Sequence, residues 1–202
     1  NSSIQHIENA DAILLVGSNP RWEAAVLNAR IRKAYIENNC KIGLIGPRID
    51  LTYKYEHLSD SLEYLNLLND KSDFGKILNN SKNPLIILGT SAINNENGSD
   101  VLQSCAFLAK KIQKNKNVNP LNILNQDISR VGALELKFYN NTFDGNYHLK
   151  LKNFLNKKKP VVFLMGLDEV DLSILKDSFV IYMGHNGDRS ASVADIILPT
   201  PA

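Results

Sequence analysis

The sequence predicts an α/β protein: a doubly wound, mostly parallel sheet of at least five strands with helices on both faces. Three observations carry this. Short apolar runs recur along the chain, amphipathic stretches separate most of them, and turn residues bound each one. A parallel strand is buried on both faces, so it reads as a continuous apolar run and not as an alternation. The candidate strands are Ala12 to Val16, Lys41 to Ile45, Leu85 to Leu88, Val161 to Met165, Phe179 to Tyr182 and Asp195 to Leu198. Each is too short to be a helix.

The first run is followed by Gly17-Ser18-Asn19-Pro20 and then by a helix from Trp22 to Asn38. Trp22, Ala25, Val26 and Ala29 recur there at i, i+3, i+4 and i+7, which marks an apolar stripe. With Lys41 to Ile45 this completes a βαβ unit. Further helices are expected at His57 to Asn69, Asp100 to Lys114 and Tyr147 to Asn156, and between Asp127 and Leu136. The connections should be right-handed, with the Gly17 turn at the carboxyl edge of the sheet. No internal repeat or linker divides the chain, so residues 1–202 read as one domain. The only methionines are Met165 and Met183, and the chain closes on Pro199-Thr200-Pro201-Ala202, which suggests a domain of a longer polypeptide.

Hydrophobic residues make up 44% and charged residues 22% of the chain, and 23 basic against 21 acidic residues leave a formal charge of +2. The basic residues are scattered, so no electrostatic footprint for nucleic acid is present. No apolar run is long enough to span a membrane. Cys40 and Cys105 are too few and too far apart to ligate an iron–sulfur cluster or zinc. The compartment reads as reducing, and a fragment of this sequence is expected to be colourless and free of iron.

Gly17, Ser18 and Asn19 sit where a strand turns into a helix, so backbone N–H groups would face a ligand at the strand's carboxyl end. Such a turn can hold a phosphate: Gly17 permits close approach, Ser18 and Asn19 add short polar groups, and Pro20 pre-sets the first helical turn. The competing reading is an ordinary βα turn, since neither a lysine-bearing phosphate loop nor G-x-G-x-x-G is present. Gly184-His185-Asn186-Gly187-Asp188 places a histidine three residues from a carboxylate. The two could do acid–base work beside the Gly17 turn, or form a tight loop.

Asp168, Glu169 and Asp171 form an acidic cluster that reads as capping carboxylates better than as a cation site. Arg30, Arg32 and Lys33 read as a solvated face of the first helix or, in a domain of a longer polypeptide, as cations that face neighbouring parts. His6, His57 and His148 stand alone in sequence and receive no role, and no metal site or catalytic residue is assigned.

Three segments carry a family resemblance: Asp11 to Ala24, Asn28-Ala29-Arg30-Ile31-Arg32-Lys33, and Asp50-Leu51-Thr52-Tyr53-Lys54-Tyr55-Glu56-His57-Leu58. Pro84 to Gly89, Tyr182 to Asp188 and Ala194 to Pro199 agree. Together they resemble the large iron–sulfur subunits of NADH:quinone oxidoreductase, respiratory complex I. The carboxyl-terminal region of that family is similar to the molybdopterin oxidoreductases, whose Gly-x-Asn-Pro turn helps bind the pterin dinucleotide. In this sequence that turn is Gly17-Ser18-Asn19-Pro20.

The resemblance implies a structural and assembly domain of the peripheral arm, taking part in electron transfer from NADH to quinone only within the whole enzyme. The 2Fe-2S and 4Fe-4S clusters of such chains belong to their amino-terminal part. The implied partners are other peripheral-arm subunits and the amino-terminal domains of the same chain, with the membrane touched only indirectly. The implied location is the cytoplasmic face of a bacterial inner membrane, or the matrix face of a mitochondrial one. The isolated fragment is expected not to oxidise NADH. The alternative is a domain that retains a pterin- or nucleotide-phosphate site at Gly17, Ser18 and Asn19.

Overall fold

The structure, a computed structural model, describes residues 2–68, 71–114, 118–125, 130–137, 152–153, 155, 160–167 and 171–201. Where the sequence suggests one domain, the chain divides into two compact units, Asn1–Leu136 and Lys137–Ala202. The division is physical, because each unit closes its own hydrogen-bonded sheet around its own apolar core.

In the first unit, strands β1 (Ala12–Val16), β2 (Lys41–Ile45), β3 (Glu56–Ser59), β4 (Pro84–Gly89) and β5 (Leu121–Leu124) are all parallel, in the order β3-β2-β1-β4-β5. The chain winds outward from β1 to β3, returns to lay β4 beside β1, and moves on to β5. With crossovers of one hand, that reversal sends the connections to opposite faces.

The period-2 alternation of each strand divides the core accordingly. Ile13, Leu15, Ile42, Leu44, Leu85 and Ile87 pack against Ile31 and Ala34 of helix α2 (Ala25–Asn38). Leu14, Val16, Ile86 and Leu88 share the other face with Phe74 and Leu78 of α3 (Asp73–Asn80) and with Val101 and Leu108 of α5 (Gly98–Ile112). Short helices α1 (Pro20–Glu23), α4 (Thr90–Ile93) and α6 (Arg130–Glu135) complete the unit. At the amino edge, the Asp11 carboxylate accepts the N–H groups of Lys82 at 2.7 Å and Asn83 at 2.9 Å, which ties β1 to β4 before their ladder begins.

Several sequence expectations change. The helix expected from Trp22 to Asn38 breaks at Ala24 (φ −155°, ψ 74°), which separates α1 from α2. Its Trp22-Ala25-Val26-Ala29 stripe faces outward: Trp22 is 82% and Val26 69% exposed, while Asn28, Ile31 and Ala34 are buried. Asn28 is satisfied there by the carbonyl of Leu51, to which it donates at 3.2 Å, and by the Tyr53 hydroxyl, which donates to it at 2.8 Å.

The helix expected at His57 to Asn69 is edge strand β3 followed by a 3-10 turn at Leu62–Leu67. Leu58, Leu62 and Leu65 pack on one cluster, so a strand joined to a turn mimics helical spacing. Strand β5 carries Asn122 and lies beside a polar stretch, which hides it. The helix expected at Asp100 to Lys114 runs from Gly98 to Ile112. Most of the expected helix at Tyr147 to Asn156 lies outside the described residues.

The second unit holds β6 (Val161–Met165), β7 (Phe179–Gly184) and β8 (Ile196–Pro199), parallel and in sequential order. Leu155, Leu164, Leu175, Val180 and Tyr182 form its core.

Cys40 and Cys105 are buried free thiols in the two opposite core clusters of the first unit. Burial pushes both up to about 12, with the Asp11 charge adding to the effect at Cys40. Only thiolates attack disulfide reagents, so the folded chain is expected to release no thionitrobenzoate at about pH 8, whereas unfolding should expose both thiols. Prompt release from the native protein would contradict this. The fold favours the neutral thiols, so this contribution to stability is whole below their ordinary value of 9.0 and is lost as pH rises from there toward about 12.

Candidate functional site

Three neighbouring strands of the first unit end at glycines. β1 runs into Gly17 (φ +51°), β2 into Gly46 (φ +135°), and β4 closes on Gly89. The reversal of winding falls between β1 and β4, the place where open α/β sheets form a crevice at their carboxyl edge. A cavity of about 290 Å³ lies there, lined by Gly17, Ser18, Asn19, Glu23, Gly46 and Asp60 among others. The structure therefore brings Gly17, Ser18 and Asn19 together at the expected edge.

Several polar atoms of the turn are engaged within the chain. The Gly17 N–H donates to the Ile45 carbonyl at 2.8 Å, and the Gly17 carbonyl accepts the Ser91 hydroxyl at 2.8 Å. The Asn19 carbonyl accepts the N–H groups of Trp22 and Glu23. Glu23 then reaches back: its carboxylate accepts the Asn19 N–H at 3.0 Å and the Ser18 hydroxyl at 3.4 Å. The buried Asn19 Oδ1 is left without a partner. Arg21, the nearest cation in sequence, pairs with Asp50 instead, whose carboxyl is held below its ordinary value by the Thr52 N–H and by that guanidinium.

A wider cleft of about 770 Å³ shares Leu62 and Asn95 with this cavity and is lined by Glu63, Glu96 and Asp100. Carboxylates are the only ionisable side chains lining either hollow. Two features oppose a phosphate-bearing group at this turn. The Glu23 carboxylate already holds the Ser18 hydroxyl and the Asn19 N–H, and a phosphate charge about 6 Å from it at an effective dielectric of about 20 would be opposed by about 3 kcal/mol. The spacing Asn19 to Glu23 is close to a capping box, a signal that could have revealed the occupant from the sequence.

The second expected pair does not form. Asp188 accepts the Tyr182 hydroxyl and the backbone N–H groups of Ser190 at 3.0 Å and Ala191 at 3.2 Å, while His185 is exposed. Gly184 is dictated by packing, because a Cβ there would lie 2.1 Å from the Tyr182 hydroxyl. Nor does this loop leave the same sheet as the Gly17 turn: among the described residues β7 pairs with β6 and β8.

Asp171 caps the 3-10 turn Leu172–Leu175 by accepting the Ser173 N–H at 3.0 Å, and its carboxyl is lowered by the Ser173 side chain first and by that N–H second. Asp168, Glu169 and His148 lie outside the described residues. His57 Nε2 meets the Gly46 carbonyl at 2.8 Å, and His6 Nδ1 meets the Ser3 hydroxyl at 2.7 Å. Arg30 and Lys33 do not form a merely solvated face. Both pair with Glu8, whose carboxyl is lowered chiefly by the Lys33 hydrogen bond, and Arg32 donates to the Thr52 carbonyl. No partner distant in sequence could have been read from the helix alone.

A family model described as molybdopterin oxidoreductase matches residues 1–202. The NADH-ubiquinone oxidoreductase 78 kDa subunit, mitochondrial, of Neurospora crassa is 39% identical over 206 residues, covering 100% of this chain and 26% of that protein. The NADH-ubiquinone oxidoreductase 75 kDa subunit of Reclinomonas americana is 37% identical over 204 residues, covering 100% and 29%. The NADH dehydrogenase (ubiquinone) iron-sulfur protein 1, mitochondrial, of Solanum tuberosum is 37% identical over 209 residues, covering 100% and 26%. The chain thus spans little more than a quarter of the length of these curated relatives.

Proposed function

The chain belongs to the molybdopterin oxidoreductase family, and we propose that it serves as a structural and assembly domain in the peripheral arm of a respiratory NADH:quinone oxidoreductase. The observation that carries this reading is the outward apolar stripe of α1 and α2. Trp22 and Val26 are 82% and 69% exposed, with Ala25 and Ala29 exposed beside them, while α2 buries a second face. A helix apolar on both sides belongs between two layers, so this surface is built to be covered by a neighbour.

The neighbours in this reading are other arm subunits or the amino-terminal domains of its own polypeptide, in line with the names of the relatives. Iron–sulfur chemistry then belongs to those other domains, because Cys40 and Cys105 lie on opposite faces of one sheet. Among the described residues no helix is long and apolar enough to cross a membrane, which suits a peripheral position.

The test is Trp22→Glu with Val26→Glu in the full-length polypeptide. Both positions are exposed, so circular dichroism should be unchanged. Loss of a central aromatic anchor costs about 2 kcal/mol or more, so assembled complex on native gels should fall at least about thirtyfold. Normal assembly with normal NADH:quinone activity would defeat the reading.

A further inference from the structure

The three-stranded sheet of the second unit has one face of a different character from the other. Register places Val161, Phe163 and Met165 of β6 on the same face as Phe179, Ile181 and Met183 of β7 and as Ile196 and Leu198 of β8. Ile181 and Met183, at its centre, are half-buried, and the other six are 42 to 70% exposed. Every strand position on that face is apolar. The opposite face, with Leu164, Val180 and Tyr182, packs against Leu172, Leu175 and Ala191 from the two connections, and its edge residue Ile197 is exposed.

The strand order explains the asymmetry. β6, β7 and β8 follow one another in one direction, so crossovers of one hand all fall on one face. The first unit escapes this by reversing direction at β1 and β4; the second has no such reversal among its described residues. An all-parallel sheet is covered on both faces, ordinarily by helices, and an open apolar face of this size marks a docking surface.

We propose that this face is covered by an amphipathic helix of the same polypeptide, contributed from outside residues 1–202. The relatives supply the length for it, since this chain matches only 26 to 29% of each. A parallel sheet supplies the chemistry, an uncharged surface suited to the apolar stripe of a crossover helix. The inference stands on register, exposure and strand order, and is independent of the function proposed above.

The test uses the full-length polypeptide with the photo-cross-linker p-benzoylphenylalanine at position 163, which keeps an aromatic ring there. Cross-linked peptides are expected to join Phe163 to segments of the same chain outside residues 1–202, without a shift in the mass of the chain. Adducts to residues 1–160, to a second copy or to another subunit would overturn the proposal. Met165→Cys, a milder change, gives a second measurement: maleimide labelling should be at least about tenfold slower than for Asn186→Cys in the exposed loop. Equal rates would overturn it even if no cross-link forms.

Discussion

Gly89→Ala is expected to destabilise the first unit by about 3 kcal/mol or more, and Gly89→Val by more still. A Cβ at Gly89 would lie 2.2 Å from the Gly17 carbonyl oxygen, 3.0 Å from its carbon and 3.1 Å from the Ser18 Cα. All three are backbone atoms, so no flexible side chain can yield. Gly17 cannot retreat either: its N–H and carbonyl are both hydrogen-bonded, and at φ +51° its own Cβ position lies 2.5 Å from the Ala92 Cβ. Relief must come from parting β1 and β4, two strands with every residue buried. With a urea dependence of about 2 kcal/mol/M, the midpoint should fall by about 1.5 M. A loss below about 1 kcal/mol would mean that the two strand ends are not in contact.

The second large effect concerns Phe74 on Gly43. Phe74 is 2% exposed, and a Cβ at Gly43 would lie 2.6 to 2.9 Å from three of its ring carbons. The ring therefore rests on the bare backbone of β2. Phe74→Ala should cost about 3 to 5 kcal/mol through the cavity it leaves. Gly43→Ala should cost about 1 to 3 kcal/mol by overpacking, and much less once Phe74→Leu has withdrawn the ring edge. A double-mutant cycle should return a coupling of about 1 kcal/mol or more. Additivity of the two changes would rule out the contact.

The strands that the sequence places well share one physical property. β1, β2 and β6 match their expected limits, and β4 and β7 extend theirs by one or two residues at an end. All five are apolar on both faces: in β1, β2 and β4 this records burial between helical layers, whereas β6 and β7 bury one face beneath the crossovers and leave the other more open. β3 and β5 escape because edge position lets Glu56, His57 and Asn122 occupy strand sites, so the local pattern no longer records burial. The Gly17-Ser18-Asn19 turn was equally legible in place, since a strand, a glycine and a helix-opening proline are local features. Its occupant left a fainter trace, because the Asn19-to-Glu23 spacing only approximates a capping box and the returning carboxylate is fixed by the folded turn.

What the sequence by itself determined is the α/β class, the sites of its buried strands and the family to which the turn motif belongs, all of them written in short-range pattern. Tertiary structure alone decided which face of a doubly apolar helix meets the core. α1 and α2 could have buried Trp22, Ala25, Val26 and Ala29, but Asn28 finds Leu51 and Tyr53 across the fold, and Glu8 holds Arg30 and Lys33 from the amino-terminal turn. Those partners lie 20 or more residues away. Periodicity measures how apolar each face of an element is, whereas orientation depends on which distant groups satisfy its polar atoms once the layers close.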